Sequence, residues 1–410
     1  MNFIDFVFFF YNFIALYMLT LMITVYFPHR KEMFYYPPGK PEPVSIVMPC
    51  YNEADSIGKA IENLLNLNYP KDMIEIIVVD DRSKDNSVEI VKKYVKKYKN
   101  VRLIVNERNS GGAAEPTNIG IKAAKYDYVA VADADSYPEK DALLKMIGFL
   151  QKDKTIGGVT GAVLGKGNET FMQQMQYLEY VVISFARKLL DYVDSVYVTP
   201  GPFALYRKKI LFEVGLFDTK NMTQDIEIVW RMMSHGYKAR MSLSAKIYSI
   251  TPKTFKQWWR QRVRWNIGGS QTIVKYKKWT LSKNMLGRFV IPFFVASLFI
   301  GVVGILLFTY LFTRRILVTY FSTKYSVLAN EAIPRLIDLS FNASVLNFFG
   351  ITLFLLGCAY TIFAIKSMKE FKLKDINIFN LIFFLTLYLM IYPLIMISAL
   401  YKFAVKRYSW

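Results

Sequence analysis

Cysteine is nearly absent, with only Cys50 and Cys358 in 410 residues. One lies in a stretch of ordinary globular composition and the other in a long apolar run, so neither a disulfide framework nor a thiolate metal site follows. Acidic charge is scarce as well: 32 Asp and Glu face 52 Lys and Arg, a net charge of +20. Such a surplus could suit nucleic acid. The basic residues, however, sit mostly between 28 and 288, as expected of a cytoplasmic domain held against anionic membrane lipids. No nucleic-acid partner is expected, and no internal repeat is visible.

Charge is also nearly missing from four apolar runs, at 3–27, 289–313, 344–365 and 378–401. Each is close to the ~20 residues that cross a hydrocarbon core of ~30 Å. Nothing basic precedes the first run, and His29, Arg30 and Lys31 follow it. That flank predicts a retained anchor entering the cytoplasm, not a cleaved signal peptide. Lys366, Lys369, Lys372 and Lys374 mark a cytoplasmic loop between the last two runs, whereas Arg314, Arg315, Lys402, Lys406 and Arg407 fall on the opposite side. The expected location is a cell membrane, crossed several times.

Between the runs, apolar segments at Val44–Met48, Ile74–Val79, Val101–Val105 and Tyr128–Ala132 alternate with helical patterns at Asp55–Leu67, Val88–Tyr98, 115–125 and 139–151. Strands apolar throughout, separated by helices, predict a mostly parallel α/β sheet covered on both faces. Ligands bind such sheets at the carboxyl ends of the strands. There the sequence places Tyr51 and Glu53, then Asp81, then Asp133-Ala134-Asp135. Two carboxylates so spaced can grip one divalent cation, Mg²⁺ or Mn²⁺, which also holds a diphosphate.

Further on, Asp225 opens a helical stretch. It suits a general base for an acceptor hydroxyl, although the local sequence favours a helix N-cap at Thr223 or Asp225. Two stretches are amphipathic. Phe171–Val193 either packs on the sheet or lies at a membrane surface. Phe255, Trp259, Val263 and Ile267 form an apolar stripe beside Lys256, Arg260 and Arg264, which suits an interfacial helix. That helix carries Gln261-Arg262-Val263-Arg264-Trp265, where an arginine can neutralise a leaving diphosphate and a tryptophan can stack on a sugar.

These pieces together resemble the membrane-bound family-2 inverting glycosyltransferases, among them the poly-N-acetylglucosamine, hyaluronan and cellulose synthases. The matching pattern is an aspartate after the second strand, Asp-x-Asp, a later acidic motif and Gln-x-x-Arg-Trp, in order from Val44 to about Lys278. The resemblance implies a GT-A-like nucleotide-sugar domain with about four transmembrane helices and interfacial helices. It implies that Tyr51, Glu53 and Asp81 hold the nucleoside, and that Asp133 and Asp135 bind the metal-diphosphate. Asp225 would be the catalytic base. Gln261 and Arg264 would meet the donor, and Trp265 with Gly201, Pro202 and Phe203 the acceptor. Gln224 and Arg82 depart from the family's usual Glu and Gly, and the loop Asn109–Ala113 lacks a common lysine.

The expected organisation is an anchor at 1–28, a linker at 29–43, a cytoplasmic catalytic domain at 44–252, an interfacial segment at 253–288 and about three helices in 289–410. The expected reaction is transfer from a nucleotide-sugar, UDP by resemblance, to a growing polysaccharide that is moved across the membrane. Transfer of one sugar to a lipid is an alternative, and a non-catalytic scaffold keeping this fold is a rival of another class. Few ionisable residues occupy the apolar runs, so a sugar channel there would rely on aromatics such as Phe293, Phe294, Tyr388 and Tyr392.

Overall fold

The computed structural model describes residues 3–329, 345–368 and 377–408. Lys369, Lys372 and Lys374, used above for topology, lie outside the described residues. The chain begins with helix α1 (Phe3–His29) and then alternates: β1 (Val44–Cys50), α2 (Ile57–Leu65), β2 (Ile74–Asp80), α3 (Ser87–Lys97), β3 (Val101–Val105), α4 (Ala114–Ala123) and β4 (Tyr128–Val131). Next come β5 (Ser136–Pro138), α5 (Leu144–Lys152), β6 (Ile156–Lys166), α6 (Phe171–Asp191), β7 (Ala204–Arg207), α7 (Lys208–Glu213), α8 (Gln224–Ser234) and β8 (Lys238–Ile250). Among the described residues these are followed by α9 (Phe255–Tyr276), α10 (Ile291–Leu328), α11 (Val345–Ser367), α12 (Ile378–Phe383) and α13 (Leu389–Ala404).

The eight strands form one sheet in the order β3-β2-β1-β4-β7-β6-β8-β5. The pairs β3–β2, β2–β1, β1–β4 and β6–β8 are parallel, while β4–β7, β7–β6 and β8–β5 are antiparallel. In β1 the side chains alternate between two cores. Val44, Ile46 and Met48 pack with Ile57, Ile61 and Leu64 of α2, and Val47 joins the cluster on the other face. Burial on both faces explains why the strand reads as continuously apolar.

The second core does not stop at the domain. It runs from Val47 and Val79 through Phe185 of α6 and Trp230 of α8 to Ile291, Ile365, Ile395 and Ala399 of the C-terminal helices. The sheet domain and the apolar helices therefore share one hydrophobic interior. Helices long and apolar enough to cross a membrane are Asp5–His29, Leu286–Leu328 and Gly350–Ser367, with Ile378–Tyr388 and Met390–Ala404 as a pair bent by 41°. Arg314 and Arg315 do not end the second run, because α10 continues past them to Leu328.

Helices α6 and α9 start alike. Thr170 with Gln173, and Thr254 with Gln257, form capping boxes that satisfy the first backbone N–H groups. Helix α6 lies between the sheet and the apolar helices, with Met175, Leu178, Phe185 and Leu189 buried along the expected stripe. In α9 the expected apolar and basic stripes hold in part, with Phe255 exposed and Arg264 turned inward as the departures. Val263 and Ile267 are buried in the core, Lys256 and Arg260 are exposed, and Arg264 lines an internal cavity.

Candidate active site

Because β2, β1 and β4 are adjacent and parallel, their carboxyl ends open on one edge of the sheet. The turns there interlock. The Asn52 N–H donates to Ser83 Oγ at 2.9 Å, and the Lys84 N–H donates to Asn52 Oδ1 at 2.7 Å. Arg82 takes the left-handed conformation with φ of 66°. A backbone of that kind favours glycine, which accounts for the glycine common at this position in the family it resembles.

A cavity of about 890 Å³ sits over this edge. It is lined by Tyr51, Glu53, Asp81, Asp133, Asp135, Gly201, Pro202, Asp225, Gln261, Arg264 and Trp265, all named from the sequence. Phe203 is the exception. It is fully buried in the core beneath the sheet, beside Ala130 and Leu205, and does not line the cavity. The chain turns into β7 immediately after it, so its side chain points into the interior.

Each wall has a local cause. Asp81 Oδ2 accepts from the Ser110 N–H at 2.9 Å and Ser110 Oγ at 2.8 Å, and Oδ1 accepts from Asn106 Nδ2 at 2.8 Å. These bonds pull the Asn109–Ala113 loop to the cavity. The Asp133 N–H donates to the Gly201 carbonyl at 3.1 Å, tying the strand end to the loop before β7. A Cβ on Gly201 would stand 2.7 Å from Asp133 Oδ2, so only glycine lets the loop pass.

Asp225 lies in the first turn of α8, where the helix N-terminus favours a carboxylate. Neither residue proposed as a cap serves as one by its side chain: Thr223 is the N-cap but makes no capping bond, and Asp225 lies inside the helix.

The electrostatics are those of an acid cluster with too little counter-charge. Burial, then Asp135 and Asp225, push the Asp133 carboxyl up to about 8, and Arg264 opposes them. Burial also raises Asp135, Asp225 and Glu53, with Arg264 opposing at Asp225 and Asp135 adding to the rise at Glu53. Desolvation lowers Arg264 despite Asp225 and Asp133 nearby. Among the described residues, no group of three or more His, Cys, Asp or Glu could hold a metal. Two carboxylates nevertheless fit Mg²⁺ or Mn²⁺, which complete their shells with water and substrate phosphates. The surplus of negative charge around Asp133 favours such a cation.

The cavity does not end at the sheet. Tyr197, Phe294 and Leu298 carry its wall to α10, and Tyr197 meets Phe294 edge-on at 4.7 Å. Tyr388 and Tyr392, considered above as channel aromatics, are instead hydrogen-bonded to Glu179 of α6. Arg187 and Tyr197 were not singled out from the sequence. Arg187 stands beside the apolar stripe of Phe171–Val193, and nothing in the local sequence marks it.

Residues 45–215 match Glycosyl transferase family 2. The poly-beta-1,6-N-acetyl-D-glucosamine synthase of Staphylococcus aureus (strain MSSA476) is 31% identical over 283 residues, which are 67% of this chain and 67% of that one. The synthase of the same description from Staphylococcus epidermidis is 31% identical over 255 residues, 62% of this chain and 60% of that one. A solved mannosyltransferase from Pyrobaculum calidifontis, in complex with GDP-Man and Mn²⁺, superposes with a TM-score of 0.60 at 17% identity. It covers 97% of this chain and 100% of its own, so the likeness of fold includes the apolar helices. The chain is a glycosyltransferase and belongs to glycosyl transferase family 2.

Proposed function

We propose that the protein extends a polysaccharide of the poly-β-1,6-N-acetylglucosamine kind, using UDP-N-acetylglucosamine at the cytoplasmic face of a membrane that its apolar helices cross. The observation that carries this reading is the single cavity in which Asp133, Asp135, Asp225, Arg264 and Trp265 share a wall that continues to Phe294 of α10. The synthases to which the chain is 31% identical support the choice of sugar and linkage.

The roles follow from chemistry. Tyr51, Glu53 and Asp81 receive the nucleoside. Asp133 and Asp135 would hold Mg²⁺ or Mn²⁺, whose charge offsets that of the diphosphate when bound. Arg264 donates to the same leaving group. Gln261 lies one turn before it on the same side of α9. Trp265 offers an aromatic face to the acceptor sugar, and Gly201 and Pro202 leave room beside it. Asp225 takes the proton of the acceptor hydroxyl, which attacks the anomeric carbon as the bond to the diphosphate breaks. One displacement inverts the anomeric configuration.

The test is transfer from a panel of UDP- and GDP-sugars by the full chain reconstituted in lipid, with products resolved by size and solvent extraction. A long water-soluble product from UDP-N-acetylglucosamine is expected. Label confined to an organic-extractable species bearing one sugar overturns polymer synthesis in favour of a glycolipid product, and absence of nucleotide release from every donor overturns catalysis.

A further inference from the structure

Arg187 sits on α6 at the end of the cavity that faces α10, with Ser184, Tyr197 and Phe294 near it on the wall. It is only 7% exposed, and its Nε is buried with no hydrogen-bond acceptor. Its guanidinium rests 5.9 Å from the centre of the Tyr197 ring. Among the described residues no ion pair or hydrogen bond of its side chain offsets the loss of water. A buried charge left in that state is costly. A group at a cavity wall in that condition is a candidate for meeting a ligand.

The surroundings restrict what the ligand is. Asp225 is near enough for Arg187 to help draw its carboxyl down, behind Arg264 and against the dominant effect of burial. The diphosphate already has Arg264, whereas Arg187 lies on the wall toward Tyr197 and Phe294, where a neutral sugar fits. Its oxygens can accept from the guanidinium while one hydroxyl turns to the carboxylate, and the edge-on pair of Tyr197 and Phe294 gives its ring an apolar surface.

We propose that Arg187 is an acceptor-binding residue, donating to oxygens of the acceptor's terminal sugar and holding the attacking hydroxyl beside Asp225. The inference rests on the polysaccharide reading above and names the residue that recognises the acceptor from the α6 side.

The experiment uses the full chain in lipid with a short β-1,6-linked N-acetylglucosamine oligosaccharide as acceptor, comparing Arg187→Lys and Arg187→Gln with the wild type. Loss of a charged hydrogen bond predicts that the acceptor KM rises about tenfold or more in Arg187→Gln, and less in Arg187→Lys. The Kd for UDP should stay unchanged in both. An unchanged acceptor KM overturns the proposal, and so does a Kd for UDP that rises in step, since the guanidinium would then serve the diphosphate. Thermal unfolding identifies a variant that fails to fold, and Arg187→Lys then decides the question. If the wild type transfers nothing to the oligosaccharide, the polysaccharide reading fails on its own. Direct titration of oligosaccharide binding, read by tryptophan fluorescence, then tests Arg187 separately: equal affinity in wild type and Arg187→Lys overturns it, and weaker binding by the variant supports it.

Discussion

Glu179 on α6 and Arg262 on α9 form a two-point ion pair, with Nε to Oε1 at 3.0 Å and Nη2 to Oε2 at 2.8 Å. The hydroxyls of Tyr388 and Tyr392, from the last bent helix, donate to the same carboxylate. Arg262 also lies 4.1 Å over the Trp265 ring. One buried cluster thus joins the helix on the sheet, the helix bearing Arg264 and Trp265, and the apolar bundle.

Removing one partner leaves the other charge buried and alone. Glu179→Ala should therefore destabilise the protein by about 3–5 kcal/mol. Denaturant unfolding in detergent measures this, and a loss below about 1 kcal/mol, the worth of a surface pair, contradicts the account.

Asp225→Asn keeps the shape of the side chain and removes the base. Turnover should fall by ~10²-fold or more while donor affinity stays within a few-fold. Near-normal turnover would remove Asp225 from the chemistry.

Asp225 also sets a pH dependence. Burial raises its carboxyl above the ordinary value and Arg264 only partly opposes the rise. A base acts when ionised, so kcat at saturating donor and cation should climb with pH through a midpoint above the ordinary ~4. In stability the sign is opposite: the contribution of this group is present below its ordinary value and lost as pH rises through the folded one. A kcat profile with its acid limb at the ordinary carboxylate value tells against the assignment.

Asp135→Ala should weaken donor binding and abolish any stimulation by Mg²⁺ or Mn²⁺, read as donor Kd with and without cation. Wild-type activity indifferent to a chelator would mean that Asp133 and Asp135 serve another purpose.

Gly268 and Gly269 are adjacent on α9 but differ in surroundings. A Cβ on Gly268 would fall 2.2 Å from Thr223 Oγ1 and 2.7 Å from its backbone nitrogen, whereas one on Gly269 meets nothing within 4 Å. Gly268→Ala should cost ~1–3 kcal/mol and lower turnover by displacing the segment that carries Asp225. Gly269→Ala should unfold at or slightly above the wild-type temperature, since alanine favours a helix interior over glycine. Equal behaviour of the two would show that α9 and the Thr223 segment are not in close contact.

The parallel half of the sheet was legible because β1, β2 and β4 bury both faces and so contain little but apolar residues. The other half was hidden. In β6, Gly157, Gly158, Gly161 and Gly165 interrupt the apolar signal, although a Cβ at Gly161 would strike the Ala245 carbonyl of β8 at 2.3 Å. In β8, Lys238, Arg240 and Lys246 give the look of a surface segment, yet all three turn to carboxylates, Lys238 and Arg240 to Asp194 and Lys246 to Glu139. The acid cluster could be read because strand ends announce themselves in sequence. Phe203 was misplaced because a motif's neighbourhood does not say which way each side chain turns. Arg187 carries no local signal, because a basic residue on a helix ordinarily faces water and only the fold turns this one into the cavity.

The length of α10 has a mechanical consequence. Its 38 residues, at a rise of ~1.5 Å each, make a rod about 57 Å long, nearly twice a hydrocarbon core of ~30 Å. No ordinary inclination absorbs that excess, since spanning helices lean by at most about 40°. In a membrane of that thickness its far part from Arg314 on, with Arg315 and Lys324 among exposed Ile, Leu, Tyr and Phe side chains, would stand clear of the bilayer or thicken the lipid around it. The helix is thus a mast whose base, at the cavity wall with Phe294 and Leu298, is apolar and whose upper part is cationic.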